Sequence, residues 1–305
     1  MAEAAFNTPK EIAKSAVETG TTKAKLSWDK ALVGGFLAGA YIAFGGLVAV
    51  TVSSGLDPEI WGTLPTLFAG TVFALGLVLV VLAGSELLTG NMALVPLAMM
   101  RGRVGFRTLT QNFAVVLIGN LLGSLFVAYF LAVQTGVIGS EGVDPATSPG
   151  MTFERLGSIA ELKGDTEGAD QVFLRALGCN WLVCLAVWLA MSAKDVAGKV
   201  LGIFFPIMAF VAIGFDHVVA NMFFIPAAIF AGVPGIGWDD ALFNWAFAFL
   251  GNLVGAAIFV ASAYWFLYLK DEEPSEPGPS GADPEQAATS GNGRAATAHD
   301  ATVRG

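Results

Sequence analysis

The stretch GFDHVVANMFFIP, from Gly214 to Pro226, decides how this chain is organised. It lies inside a long apolar segment, yet it contains an acid, Asp216, one of the two histidines, His217, and an asparagine, Asn221. Ionisable groups at membrane depth cost from about 3 to more than 10 kcal/mol, so they usually mark a functional path through the protein. This stretch is therefore the first place to look for a function.

The composition indicates an integral membrane protein. Of the 305 residues, 55% are hydrophobic and 13% are charged, and the mean hydropathy is +0.66. The net charge of −9 says little about partners, because much of it lies in loops and in the C-terminal segment. Cys179 and Cys184 lie in one apolar span without the spacing of a redox or zinc pair, and we expect them to be buried apolar side chains. The polar start of the chain predicts no cleaved signal.

Six apolar segments are long enough to cross a membrane. Five of them cover about residues 31–53, 64–100, 113–133, 173–191 and 241–269, and the fifth in chain order begins near residue 200 and contains the opening stretch. The second and fifth segments are each interrupted by polar residues, which predicts two helices that break at depth. A polar loop of about 35 residues is expected between the third and fourth segments.

The chain is predicted to have three regions. Residues 1–30 form an N-terminal cytoplasmic or interfacial helix, residues 31–269 a six-span transporter domain, and residues 270–305 a disordered acidic tail. Thr8, Pro9 and Glu11 predict the capping box that starts the first helix. A soluble cap packed on its own protein fits the same pattern. Lysines and arginines near the spans gather on the side of the N-terminus, which predicts that both termini are cytoplasmic.

An internal repeat links the two broken segments. Asn91-Met92 with Pro96 recurs 130 residues later as Asn221-Met222 with Pro226, and the same offset aligns Gly84 with Gly214 and Glu86 with Asp216. The sequence GNLLG from Gly119 recurs as GNLVG from Gly251. Three spans per half predict an inverted repeat, in which half-helix N-termini point their positive dipole ends at a bound anion near the midplane.

The residues at the breaks suggest how a small anion could pass. His217 has an unperturbed pKa near 6.5, which suits the exchange of a proton or hydrogen bond with a weak acid. Thr89 and Asn221 offer further hydrogen bonds. We expect Glu86, Asp216 and Asn91 to be structural, with the two carboxylates bonding backbone N–H groups freed by the breaks, because open carboxylates would repel an anion. Large apolar side chains near the breaks fit either core packing or constrictions of a pore; they are Phe73, Leu77, Leu88, Phe210 and Phe215.

At these residues the chain resembles the formate/nitrite transporter family. The resemblance rests on GFDH with ANMF from Gly214 to Phe223, on ELLTGNM from Glu86 to Met92 and on NWLVCLAVW from Asn180 to Trp188, and it covers about residues 8–269. It implies an all-α, aquaporin-like protomer of six spans, with spans two and five broken, that assembles as a homopentamer in the plasma (inner) membrane and has one pore per protomer. The Asn-Pro-Ala pair of aquaporins is missing.

The resemblance also implies roles for single residues. His217, Thr89 and Asn221 match the family's substrate-binding residues, the five large apolar residues match its constrictions, and Lys23 and Lys163 match its entrance lysines. An acidic insertion, Gly164 to Asp170, departs from the family around Lys163. Asp216 replaces the glutamate that formate members usually have before the histidine, which could alter how the break is held or which anion is preferred.

These observations predict a channel or transporter for formate and related small monovalent anions. Nitrite or hydrosulfide as the cargo, and a neutral-solute channel with an aquaporin-like fold, stay open as alternatives. No enzyme activity, cofactor, metal or nucleic-acid partner is expected, because no cluster of His, Cys and carboxylates could bind a metal. Protons and the lipid bilayer are the other expected partners.

Overall fold

The computed structural model describes residues 6–272, and within that range it is built from helices. In chain order these are α1 (Pro9–Ala24), α2 (Trp28–Ser53), α3 (Pro58–Trp61), α4 (Leu64–Ala83), α5 (Leu88–Met100), α6 (Phe106–Val133), α7 (Ser148–Glu161), α8 (Ala169–Ser192), α9 (Val196–Ile213), α10 (Val218–Ala231) and α11 (Trp238–Tyr268). The predicted disordered tail, 270–305, falls almost wholly outside the described residues.

Six of these helices are long and apolar enough to cross a membrane: α2, α4, α6, α8, α9 and α11. The six predicted spans are confirmed, with ends within about four residues of the prediction, except that the third helix begins at Phe106, seven residues before its predicted start. The predicted capping box also forms, since Thr8 Oγ1 accepts from the Glu11 N–H at 3.4 Å and Glu11 Oε2 accepts from the Thr8 N–H at 2.7 Å. The loop expected between spans three and four is largely ordered, because it contains α7 and a π-helical turn, Leu162–Thr166.

The two broken helices form as predicted. Helix α4 ends at Gly84, which has a φ of 79°, and α9 ends at Gly214, which has a φ of 84°. Only glycine adopts this left-handed conformation without strain, so both breaks are encoded locally. The shorter helices α5 and α10 then continue after Leu87 and His217, which are their N-cap residues.

Packing around the breaks follows the same plan in both halves. Helix α2 packs on α4 and α6, α8 packs on α9 and α11, and α4 packs on α9 between the halves. The repeated glycines allow the close approach: a Cβ on Gly123 would lie 1.9 Å from the Phe36 carbonyl oxygen, and one on Gly255 would lie 2.2 Å from that of Leu177. Small residues at helix interfaces are the usual means of close packing in membranes.

The chain termini of the described region lie on one face. Asn7 donates from its backbone N–H to the Ser192 carbonyl at 2.8 Å, which ties the N-terminal segment to the link after α8. Lys10 forms an ion pair with Glu272 at 2.7 Å. Arg101, after α5, donates to the Glu272 carbonyl at 3.0 Å. The N-terminal segment and the ends of spans two, four and six therefore meet on the same side.

Candidate functional site

The first break is held by an asparagine from span three. Asn120 Oδ1 accepts the N–H of Leu88, the first residue of α5, at 2.9 Å. Its Nδ2 donates to the carbonyl oxygens of Gly35 and Glu86, both at 2.8 Å. One buried amide thus satisfies two backbone groups at the break and links them to the Gly35 carbonyl of the unbroken helix α2.

The second break repeats this arrangement. Asn252 Oδ1 accepts the Val218 N–H at 2.9 Å, and its Nδ2 donates to the carbonyls of Ala176 at 2.8 Å and Asp216 at 2.9 Å. The first N–H of α5 and the first N–H of α10 are therefore each bound by an asparagine. The expectation that the two carboxylates bind them is wrong in this respect, although both carboxylates do lie at the breaks.

Glu86 belongs to a closed ring of polar groups beside the first break. Its carboxylate accepts from Lys23 Nζ at 2.8 Å and from Asn91 Nδ2 at 3.1 Å. Asn91 also donates to Asn112 Oδ1 at 3.0 Å, and Asn112 returns a bond to the Lys23 carbonyl at 3.0 Å. The ring ties α1, the break and α6 together, which supports a structural role for Glu86 and Asn91.

Asp216 belongs to the matching ring beside the second break. It accepts from Lys163 Nζ at 2.8 Å and from Asn221 Nδ2 at 2.7 Å. Asn221 also donates to Asn244 Oδ1 at 2.8 Å, and Asn244 donates to the Lys163 carbonyl at 3.0 Å. The pattern Gly, acid, Asn-Met read from the sequence is therefore part of a larger repeated contact set that includes Asn112 and Asn244, which the sequence reasoning missed.

The rings change how the proposed site residues can act. Lys23 and Lys163 are each paired with a carboxylate, so neither presents an uncompensated charge to an anion. Asn221 uses its Nδ2 in the ring, and its buried Oδ1 has no partner among the described residues. Asn91 Oδ1 is in the same state. Both asparagines thus retain a spare acceptor, which suits water or a protonated acid and not a bare carboxylate.

His217 and Thr89 meet across the two halves. Thr89 Oγ1 lies 2.8 Å from His217 Nε2, and both residues are buried. His217 Nδ1 accepts the Ala220 N–H at 3.1 Å, so Nδ1 carries no proton. The neutral imidazole then has its proton on Nε2 and donates it to Thr89 Oγ1. This assignment leaves the threonine hydroxyl hydrogen free to donate to a solute.

Two cavities approach this pair, since His217 lines one of them and Gly90, next to Thr89 in the chain, lines the other. One encloses about 170 Å³ and is lined by Phe73, Phe210, His217, Asn221 and Lys163; we call it the Lys163-side cavity. The other, of about 400 Å³, is the Lys23-side cavity.

The Lys23-side cavity is lined by Leu77, Asn91, Glu86 and Lys23. Phe73 and Leu77 are one turn apart on α4 and line opposite cavities, so the wall between the cavities is about one helical turn thick. Either volume holds several waters or one small solute.

Of the predicted constriction residues, Phe73, Phe210 and Phe215 line the Lys163-side cavity and Leu77 lines the Lys23-side cavity, whereas Leu88 lines neither. Phe73, Leu77, Leu88 and Phe210 are almost fully buried, and Phe215 is half-buried. The Phe73 and Phe210 rings contact edge to face, with centroids 5.8 Å apart. The Phe210 ring also stacks near His217, with centroids 6.0 Å apart. These contacts fit packing and constriction alike, since a closed constriction is itself packed.

Arg155 is a site residue that the sequence reasoning missed. It lines the Lys163-side cavity from α7, and its Nε donates to Ser53 Oγ at 2.9 Å. Among residues 6–272, no carboxylate lies within ion-pair distance of it, in contrast to both lysines. The sequence offers no signal for it, because Arg155 is one of many charged residues in the long polar loop predicted between spans three and four.

Broken helices that meet between two small cavities define a membrane channel or transporter. The family model for formate/nitrite transporters matches residues 10–266, and the chain belongs to that family. A probable formate transporter of Methanothermobacter thermautotrophicus is 45% identical, over 87% of this chain and 98% of its own. The formate channel BtFdhC of Bacillus thuringiensis is 41% identical, over 87% and 97% of the two chains. A solved pentameric formate channel with formate bound is 28% identical, with a TM-score of 0.68 over 79% of this chain and 98% of its own.

Proposed function

We propose that this protein carries formate and related small monovalent anions across the plasma (inner) membrane. The observation that carries the proposal is the buried Thr89–His217 contact near the two cavities, which presents one hydrogen-bond donor in a largely apolar region of the protein. The names of two relatives and of the solved structure, all of them formate transporters or channels, support formate over nitrite.

The steps follow from the charges and donors along the path. Arg155 attracts the anion into the Lys163-side cavity, while the paired Lys163 adds little net charge. At the wall the Thr89 hydroxyl donates to the anion and the His217 Nε2–H polarises that hydroxyl. Burying a bare anion here is expensive, so a donated hydrogen bond lowers the barrier. Protonation of His217 itself is disfavoured, because Nδ1 already accepts the Ala220 N–H.

Asn91 and Asn221 contribute on opposite sides of the wall. Their Oδ1 atoms accept hydrogen bonds from water in the anion's shell, or from the acid when the cargo carries a proton. The substrate-binding role that we assign to Asn221 is thus that of an acceptor. Formate and a proton moving together would use these oxygens most fully.

Both termini lie on the cytoplasmic side in this proposal. The N-terminal segment contacts the link after span four, so both lie on the same side of the membrane. This supports an even number of membrane crossings between them. The excess of Lys and Arg on that face supports its orientation toward the cytoplasm.

The test is solute flux in proteoliposomes at several pH values, with formate, nitrite, hydrosulfide, acetate and glycerol compared at equal concentration. We expect formate to pass fastest. A preparation that passes glycerol and no anion would support the neutral-solute alternative and overturn the proposal.

A further inference from the structure

Glu167 is a second buried carboxyl group beside the ring of hydrogen-bonded polar groups that contains Asp216. Glu167 precedes α8, in the acidic insertion after Lys163, and is 3% exposed. Arg175 donates to its Oε1, while its Oε2 has no partner among the described residues. Asp216 Oδ2 is also buried and without a partner in the same range. The two carboxyl groups lie within hydrogen-bonding reach of each other.

Two carboxylates cannot hydrogen-bond, because both are acceptors only. One proton between the partnerless oxygens satisfies both atoms at once, and like charges this close rarely coexist in a buried site. We propose that Glu167 and Asp216 form a proton-binding site in the wall beside the Lys163-side cavity, which sets the charge that an entering anion meets.

The pKa of Glu167 indicates that this proton is lost near physiological pH. Burial and the neighbouring Asp216 carboxyl raise the pKa of Glu167 to about 7. The site therefore holds its proton below about pH 7 and loses it above. Lys163 and Arg175 oppose this rise but do not cancel it.

Other charged groups near Glu167 come from each surrounding element. Asp165 on the turn, Asp170 on α8 and Glu161 on α7 are exposed to solvent, and Asp240 on α11 is partly exposed beside Gly164. Buried around it are Lys163, Asp216 and the neutral His217, with Arg175 partly buried. The exposed acids are screened by water, so the buried cluster sets the local charge.

The formal charge of the buried cluster around Glu167 depends on whether Glu167 is protonated. Lys163, Arg175 and the Asp216 carboxylate leave a formal charge of +1 when Glu167 is protonated, and zero when it is not. Formate, whose transport rests on the function proposed above, is an anion throughout the neutral range. Its affinity for the Lys163-side cavity therefore falls as pH rises through about 7.

The first half of the protein has no acidic residue at the position that matches Glu167. Lys23 and Lys163 are equivalent in the two rings, and four residues after Lys23 the chain has Ser27 where the second half has Glu167. Asp216 is also one methylene shorter than Glu86. The pH response is thus confined to one face of the membrane.

Infrared difference spectra of the full chain in lipid, between about pH 6 and about pH 8, test the proton directly. We expect a protonated carboxyl band in wild type at the lower pH, its loss at the higher pH, and its absence in Glu167→Gln. Asp165→Asn, which removes an exposed carboxylate of the same turn, is expected to keep the band. Wild type without a titrating carboxyl band overturns the proposal, whatever its transport activity.

Flux from each face tests the consequence for the anion. In wild type we expect the KM for formate entering from the Lys163 face to rise by roughly three- to ten-fold over that pH range, because the cluster beside the cavity loses one unit of positive charge. Glu167→Gln should give a flat KM at the wild-type low-pH value, because its amide still donates to Asp216. A titrating band with a flat wild-type KM overturns the charge coupling; a titrating band with no formate flux supports the proton site and overturns the proposed function instead.

Discussion

At the scale of residues, two hydrogen bonds determine which nitrogen of His217 carries the proton and what the side chain can do. Acceptance of the Ala220 N–H makes it the N-cap of α10, and this same bond keeps Nδ1 free of a proton. Its remaining donor points at Thr89. A histidine expected to exchange protons with the cargo is therefore better suited to donating a hydrogen bond through the threonine.

Replacement of His217 by asparagine separates its two roles. The shorter asparagine side chain would keep the N-cap, since asparagine is as good a cap as any residue, but it would not reach Thr89. We expect His217→Asn to unfold at nearly the wild-type temperature and to carry formate roughly three- to ten-fold more slowly, the worth of one buried hydrogen bond. Flux and thermal unfolding of purified protein measure this.

Thr89→Val gives the matched control for that pair. Because both residues act through one contact, the double variant should be little slower than either single variant. Additive losses would contradict the shared role of His217 and Thr89.

Arg155 is expected to set anion entry from its own face. Arg155→Gln removes the charge while keeping a donor for Ser53, so we expect the KM for formate from the Lys163 face to rise by roughly two- to ten-fold, with a smaller change at high salt. Arg107→Gln removes an exposed charge from the first turn of α6 and serves as the control. An equal effect of both variants would show that only net charge matters.

At the scale of elements, the broken helices depend on local signals and on distant partners. Gly84 and Gly214 end α4 and α9 in left-handed conformation, and this was readable from the repeat. The asparagines that pair the exposed backbone come from α6 and α11. The recurring GNLxG sequence was recognised, but its use as a clamp for the breaks needed the three-dimensional arrangement.

Because α2 and α6 pack closely, adding a single methyl group at their interface should lower the stability of the protein. Gly123→Ala would place Cβ 1.9 Å from the Phe36 carbonyl oxygen, so the helices must separate and the clamp of Asn120 must shift. We expect a clear fall in thermal stability, by about 1–3 kcal/mol for overpacking of this kind. Gly105→Ala, at the start of the same helix with nothing within 4 Å, should change stability little. Equal unfolding temperatures of the two variants would contradict this packing argument.

At the scale of the whole molecule, the outer faces of the spanning helices carry many exposed large apolar side chains, among them Leu122, Phe130, Leu174, Leu201 and Phe266. Such faces suit lipid or neighbouring subunits. The solved channel with formate bound is described as pentameric, and its TM-score to this chain is 0.68.

We expect the purified protein to be a homopentamer. Native mass spectrometry in a mild detergent should give about five times the protomer mass of 31.7 kDa. A monomer or trimer that transports formate at full rate would contradict the assembly.

What the sequence determined by itself was the local part of this protein: six spans, two breaks at glycines, a capping box and the repeated Gly, acid, Asn-Met pattern. These features depend on hydropathy, backbone conformation and short spacing, which are written along the chain. Tertiary structure alone decided that Lys23 and Lys163 are paired, that Arg155 lines a cavity and that Glu167 reaches Asp216. The physical reason is that charge compensation and protonation depend on which groups meet in space, and those groups lie between about 50 and 100 residues apart or in a loop whose fold has no periodic signal.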